Sequence, residues 1–104
     1  MKEKHLVNWT ISYICMLGHI AWRNNAGKLP ITGTTGKVRY INVGMKGLPD
    51  VIGYTKEGRF IGIECKIKPN KVSPIQQEQL DRMRDAGCLV GVAYTTEDVE
   101  ELFK

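Results

Sequence analysis

The chain has 104 residues, 42% of them hydrophobic and 25% charged, enough for one compact domain over residues 1–104 and too little for two. Its 15 Lys+Arg against 11 Asp+Glu give a formal net charge of +4, which favours an anionic partner without identifying one. Cys15, Cys65 and Cys88 are an odd number with no C-x-x-C pair and read as buried reduced thiols; no apolar run approaches the roughly 18 residues of a membrane span, so a cytoplasmic protein is expected.

Residues 3–18 place Val7, Ile11, Ile14 and Leu17 at helical spacing, and Glu3, four residues before Val7, falls on the core side of that helix. A short strand is expected at residues 20–23. The passage from Asn24 through Gly33, Thr34, Thr35 and Gly36 has turn chemistry throughout and is expected to be a mobile loop. Residues 38–43 are a strand candidate leading to Gly44-Met45-Lys46-Gly47. A β-hairpin follows, with strands at residues 50–54 and 59–68 joined by Lys56-Glu57-Gly58-Arg59.

Ser73-Pro74-Ile75-Gln76 carries the signature of a helix N-terminus: Ser as N-cap, Pro at the first helical position and Gln three residues on to close a capping box. That helix is expected to run to Ala86 and stop at Gly87. Residues 88–94 read as a strand covered on both faces, and Thr95 or Thr96 caps a last helix. The order α-β-β-β-β-α-β-α predicts an α/β fold with a central mixed sheet flanked by helices.

The hairpin carries the chemistry. With its turn centred on Glu57-Gly58, Asp50 falls opposite or diagonal to Glu64, close enough for two carboxylates to share a cation. Period-2 alternation puts Glu64 and Lys66 on one face, while Ile61, Ile63, Cys65 and Ile67 line the other. Hydrolysis of a phosphodiester needs an activated water and shielding of the developing charge, and a cation held by carboxylates supplies much of both. Asp50, Glu64 and the Cys65 backbone carbonyl are an oxygen set suited to Mg²⁺. Lys66 could orient or help deprotonate the attacking water.

Taken alone, an E-x-K in a strand is more often a solvated charge pair, and an Asp after Pro a turn residue. Gln76 falls at the apolar stripe of its helix, so it either closes the capping box, serves the site, or does both. Arg23, Asn24 and Asn25 could present a cation and amides to phosphate oxygens, and Lys46 adds charge just before the hairpin. His5 and His19 have no partner at metal-ligand spacing.

Gly47-Leu48-Pro49-Asp50, Ile63-Glu64-Cys65-Lys66 and Ser73-Pro74-Ile75-Gln76, preceded by Trp22-Arg23-Asn24-Asn25 and followed by Gly87 and Gly91-Val92-Ala93, together resemble the VRR-NUC branch of the PD-(D/E)XK nucleases. The resemblance runs from residue 3 to about residue 98. It implies a restriction-endonuclease-like core and a divalent metal, Mg²⁺ with Mn²⁺ as the other choice. Carried over, Asp50 and Glu64 bind metal, Lys66 is catalytic, Gln76 matches the family's helix glutamine, and Glu3 matches an acidic position able to reach the metal. Cys65 stands where relatives more often have a β-branched residue; only its carbonyl would touch the metal.

Stand-alone members of this size resemble Holliday-junction resolvases and tend to be homodimers. The expected function is therefore a metal-dependent, structure-selective DNA endonuclease acting on branched or junction-like DNA, the resemblance implying 5′-phosphate and 3′-hydroxyl products. Two other readings stand beside it: a non-catalytic nucleic-acid-binding module on the nuclease fold, and a nuclease of plain duplex or single-stranded DNA. The segment 27–47 is where substrate choice is expected to be made, by ordering on DNA.

Overall fold

The computed structural model describes residues 1–24, 27–43 and 45–104. In chain order it contains helix α1 (Glu3–Met16), strands β1 (Ile20–Arg23), β2 (Gly27–Thr32), β3 (Val38–Val43), β4 (Val51–Tyr54) and β5 (Phe60–Cys65), helix α2 (Pro74–Asp85), strand β6 (Leu89–Ala93) and helix α3 (Thr96–Leu102). The central sheet has the order β1-β4-β5-β6, antiparallel except between β5 and β6. It is the mixed sheet flanked by helices that the sequence predicts. The parallel β5–β6 pair needs a crossover, and α2 provides it.

Side-chain alternation on β5 decides which helix goes where. Ile61, Ile63 and Cys65 are fully buried together with Leu6, Val7 and Ile14 of α1 and Val99 of α3, so α1 and α3 share one face of the sheet. The buried α1 residues Leu6, Val7, Thr10 and Ile14 recur at helical spacing. On the other face Gly62 lies beneath Met83 of α2: a Cβ added there would collide with the Met83 side chain and approach Pro49 Cγ to 3.1 Å. A glycine inside a strand marks such a close approach.

The β4–β5 turn forms as expected, with Gly58 at φ +88° and Thr55 N–H donating to the Arg59 carbonyl at 2.8 Å. The N-terminus of α2 also matches its sequence signature. Ser73 Oγ accepts from Gln76 N–H, Gln76 Oε1 accepts from Ser73 N–H, and Pro74 opens the helix. For α3 the cap is Thr95, whose Oγ1 accepts from Asp98 N–H at 3.1 Å.

Three features depart from the sequence reading. Of the cysteines expected to be buried only Cys65 is; Cys15, on the outer side of α1, is exposed and Cys88 is half-buried. The first half of the Gly/Thr-rich passage, expected as a mobile loop, is strand β2, and β3 pairs with it rather than with the central sheet. Together they form a separate antiparallel ribbon in which Thr32 faces Val38 and Gly27 faces Val43. Only the second half keeps its turn role, with Gly33 N–H donating to the Lys37 carbonyl at 3.0 Å and Gly36 at φ +79°. In a two-stranded ribbon both strands are edges, so Pro30 breaks no ladder that a third strand would need. The ribbon's two strands are thus already paired in the protein without DNA, contrary to an ordering of this whole segment on DNA.

Candidate active site

The hairpin register brings the two expected carboxylates together. Val51 pairs with Ile63, so the next step along the antiparallel ladder sets Asp50 across from Glu64. Two hydrogen bonds hold Asp50 and a third holds Pro49 before it. Asn24 N–H donates to the Asp50 carbonyl at 2.7 Å, the Asn24 side-chain amide donates to the Pro49 carbonyl at 3.1 Å, and Asp50 Oδ2 accepts from Cys65 N–H at 3.2 Å.

Glu64 is almost completely buried, at 1% exposure. Its Oε1 accepts from Gln76 Nε2 at 3.3 Å and lies 3.8 Å from Lys66 Nζ. Its Oε2 is buried with no hydrogen-bond partner among the described residues. Loss of water around the carboxylate, and the charge of Asp50 beside it, push the Glu64 carboxyl up to about 8; the Lys66 ammonium pulls the other way and the Glu3 carboxylate adds a smaller upward push. Desolvation prevails over the single cation nearby.

Gln76 resolves its two sequence readings by doing both jobs. Its carbonyl oxygen closes the capping box and its NH₂ group reaches Glu64. Lys66 keeps a 17% exposed side chain at the rim, while its N–H donates to the Ala93 carbonyl at 3.0 Å and so extends the parallel pairing one residue past β5. The Cys65 side chain turns the opposite way, into the core, where its sulfur is 3.8 Å from Thr10 Oγ1 and burial pushes the thiol up to about 12.

The remaining candidates are spread more widely. Glu3 is half-buried at the start of α1 and reaches Glu64 through its charge. Arg23 is exposed and donates to Asn8 Oδ1 at 3.5 Å. Asn24 is half-buried and positions Pro49 and Asp50 through one side-chain and one backbone bond. Asn25 lies outside the described residues. Lys46 is exposed, and its carbonyl accepts from Gln79 Nε2 at 3.3 Å.

Gly47, at φ +85°, sits so close to Ile75 that a Cβ there would collide with it, so the lead-in to Asp50 is docked against the start of α2. Sequence reasoning missed these supports: Asn24 as a clamp, and Gly47 and Gly62 as close-approach points. An isolated glycine within the β5 pattern was the available signal for Gly62.

Among the described residues no three His, Cys, Asp or Glu side chains gather closely enough to hold a metal ion; the centre is a carboxylate pair. That still suits Mg²⁺ or Mn²⁺, since a hard cation typically keeps several waters and is anchored by one or two carboxylates. The observation that fits is Glu64 Oε2, a buried oxygen lacking a partner next to a second carboxylate, an arrangement that is costly unless a cation or proton joins it.

The VRR-NUC domain matches residues 18–97 of the chain. The chain belongs to the VRR-NUC family. Within the matched span lie Asp50, Glu64, Lys66 and Gln76, whereas Glu3 precedes it. A solved structure titled "VRR_NUC domain" is similar with a TM-score of 0.67 and 20% sequence identity, over 97% of this chain and 92% of that one, a likeness of fold. Among curated proteins nothing matches. As a VRR-NUC domain this is a nuclease-type domain, which implies DNA as its partner, in a family whose nucleases are generally metal-dependent. No helix among the described residues is long and apolar enough to cross a membrane.

Proposed function

We propose that this VRR-NUC domain is a Mg²⁺- or Mn²⁺-dependent DNA endonuclease selective for branched, junction-like DNA and working as a homodimer. The observation that carries the metal-dependent reading is the unpartnered, buried Glu64 Oε2 beside Asp50. Bound Mg²⁺ would shield the phosphate's charge and make a water nucleophilic near neutral pH. Asp50 and Glu64 would anchor it, with the Cys65 carbonyl as a further oxygen.

The chain's own residues have distinct tasks. Gln76 fixes the Glu64 carboxylate by donating to Oε1, leaving Oε2 for the cation. Asn24 and Cys65 N–H fix Asp50 from the backbone. Lys66, partly exposed, offers its ammonium to a non-bridging phosphate oxygen and to the attacking water, and departs little from Glu64 in doing so. Cleavage would leave 5′-phosphate and 3′-hydroxyl ends. Support for a homodimer comes from the β2–β3 ribbon, where Ile31, Val38, Tyr40 and Ile41 are exposed and a second copy would cover them.

Incubation with labelled four-way junctions, flaps, duplex and single strands tests the reading, each with Mg²⁺, with Mn²⁺ and with chelator. The expected result is cleavage of branched substrates that chelator stops. Binding without cleavage under either metal would leave a nucleic-acid-binding module in its place.

A further inference from the structure

Between Lys66 and the start of α2 the surface has an open depression of about 340 Å³ lined by Lys68, Pro69, Asn70, Lys71 and Tyr94. Its place is set by the parallel pairing of β5 with β6. Because Lys66 N–H bonds the Ala93 carbonyl, Tyr94 leaves β6 beside the segment that leaves β5. Two residues of extended chain span at most about 7 Å, so Lys68 lies next to the candidate site and not across the molecule from it. None of the five residues hydrogen-bonds Asp50, Glu64, Lys66 or Gln76 in the described structure, and the reaction outlined above leaves them idle.

The chemistry of this pocket is specific. Its walls are almost wholly apolar, yet two lysines frame it, and Lys68 Nζ stands 5.8 Å from the centroid of the Tyr94 ring. An aromatic face with one lysine ammonium over it and a second lysine in the lining suits a nucleotide: the base stacks on the ring and the phosphate meets the cations. Little of the lining surface is polar, so stacking on the ring, which any base can make, would outweigh readout of base edges. A duplex keeps its bases stacked inward, whereas a flap, a junction strand or a single strand can offer one.

We infer that the Tyr94 pocket receives an unpaired base from the nucleotide adjoining the phosphate that Lys66 meets beside Asp50 and Glu64. This rests on the nuclease reading and adds to it the means of choosing DNA with unpaired nucleotides over plain duplex. In the free protein Lys68 covers the ring; when a base stacks there, its ammonium turns to the nucleotide's phosphate, joined by Lys71.

The test uses the full chain in chelator, so that DNA is bound and not cut. The probes are a single strand carrying 2-aminopurine and a blunt duplex of the same sequence. Binding of the strand quenches the 2-aminopurine. Tyr94→Ala abolishes the quenching and weakens strand binding by about tenfold, while duplex affinity stays within about twofold and Tyr94→Phe behaves as wild type. Should Tyr94→Ala not fold, Tyr94→Leu, which keeps apolar bulk without the ring face, gives the same results.

Quenching that survives loss of the ring, or equal weakening for strand and duplex, overturns the pocket. A protein that cuts DNA with Mg²⁺ yet shows no Tyr94-dependent quenching keeps its nuclease function and loses this subsite. One that binds neither probe and cuts nothing loses both.

Discussion

Gln76 joins the first turn of α2 to the carboxylate pair: its Nε2 donates to Glu64 Oε1 at 3.3 Å while its Oε1 accepts from Ser73 N–H at 2.8 Å. One amide thus ends a helix and aims a buried acid. Substitution can separate the two jobs. Gln76→Glu still closes the capping box but sets a third carboxylate against Glu64, so the helix start should be kept while cleavage falls about 10- to 100-fold and stability falls as pH rises. Gln76→Ala should lose both, with about 1 kcal/mol of stability gone. Thermal melts and single-turnover cleavage on the same preparations check the split.

Lys66→Ala should lower the cleavage rate by about 10²- to 10⁴-fold with DNA affinity in chelator changed less than about threefold, as one phosphate contact among several would be. Lys66→Arg should not restore the rate, because a guanidinium stays protonated and has a different shape. Cleavage assays alongside a binding titration read both quantities; unaltered cleavage would remove Lys66 from the reaction.

A pH dependence follows from Glu64. Its carboxyl rises from 4.5 to about 8 on folding without metal, so the folded protein holds a proton that the unfolded chain gives up. Its contribution is therefore present at low pH and lost as pH rises from about 4.5 to about 8, with a slope on the order of 1 kcal/mol per pH unit. Denaturant melts in chelator should show Glu64→Gln gaining on the wild type as pH rises through this window. Mg²⁺ should displace that proton, stabilise the wild type more at pH 8 than at pH 6, and do little for Glu64→Gln.

Gly62 and Met83 touch across the β5–α2 interface, and Gly62→Ala should cost about 1–3 kcal/mol through overpacking. Pairing it with Met83→Ala opens the space, so the double variant should be more stable than the sum of the single effects. A double-mutant cycle by urea denaturation reads the coupling. Additive losses would mean that the collision is relieved some other way.

If the β2–β3 ribbon joins two copies, placing charge on it should separate them. Val38→Glu with Tyr40→Ser should shift the protein from dimer to monomer in sedimentation at micromolar concentration, with its melting curve otherwise cooperative. A wild type that sediments as a monomer throughout the accessible range would rule out the dimer.

Much of the site could be read in advance because its cues are local. The turn at Lys56-Glu57-Gly58-Arg59 fixes the hairpin register, and register alone carries Asp50 to Glu64. Ser73-Pro74-Ile75-Gln76 writes its own helix start. What escaped was non-local. β2 reads Gly-Lys-Leu-Pro-Ile-Thr, a stretch whose propensities favour a turn, and only its pairing with β3 makes it a strand. A polar residue at a strand end, such as Asn24, invites a phosphate contact from sequence; that its amide also donates to the Pro49 carbonyl 25 positions away is a partnership that no sequence pattern names.

Cys65, placed between Glu64 and Lys66, has a backbone that borders the carboxylate pair and a side chain sealed among Thr10 and the α1 core. With its thiol held neutral up to about 12, it is closed to electrophiles and peroxide, which act on exposed thiolate. Iodoacetamide should label the exposed Cys15 and leave cleavage untouched. The strand that carries Glu64 thus presents no thiol to solvent, and a reagent that modifies cysteine meets Cys15 in its place.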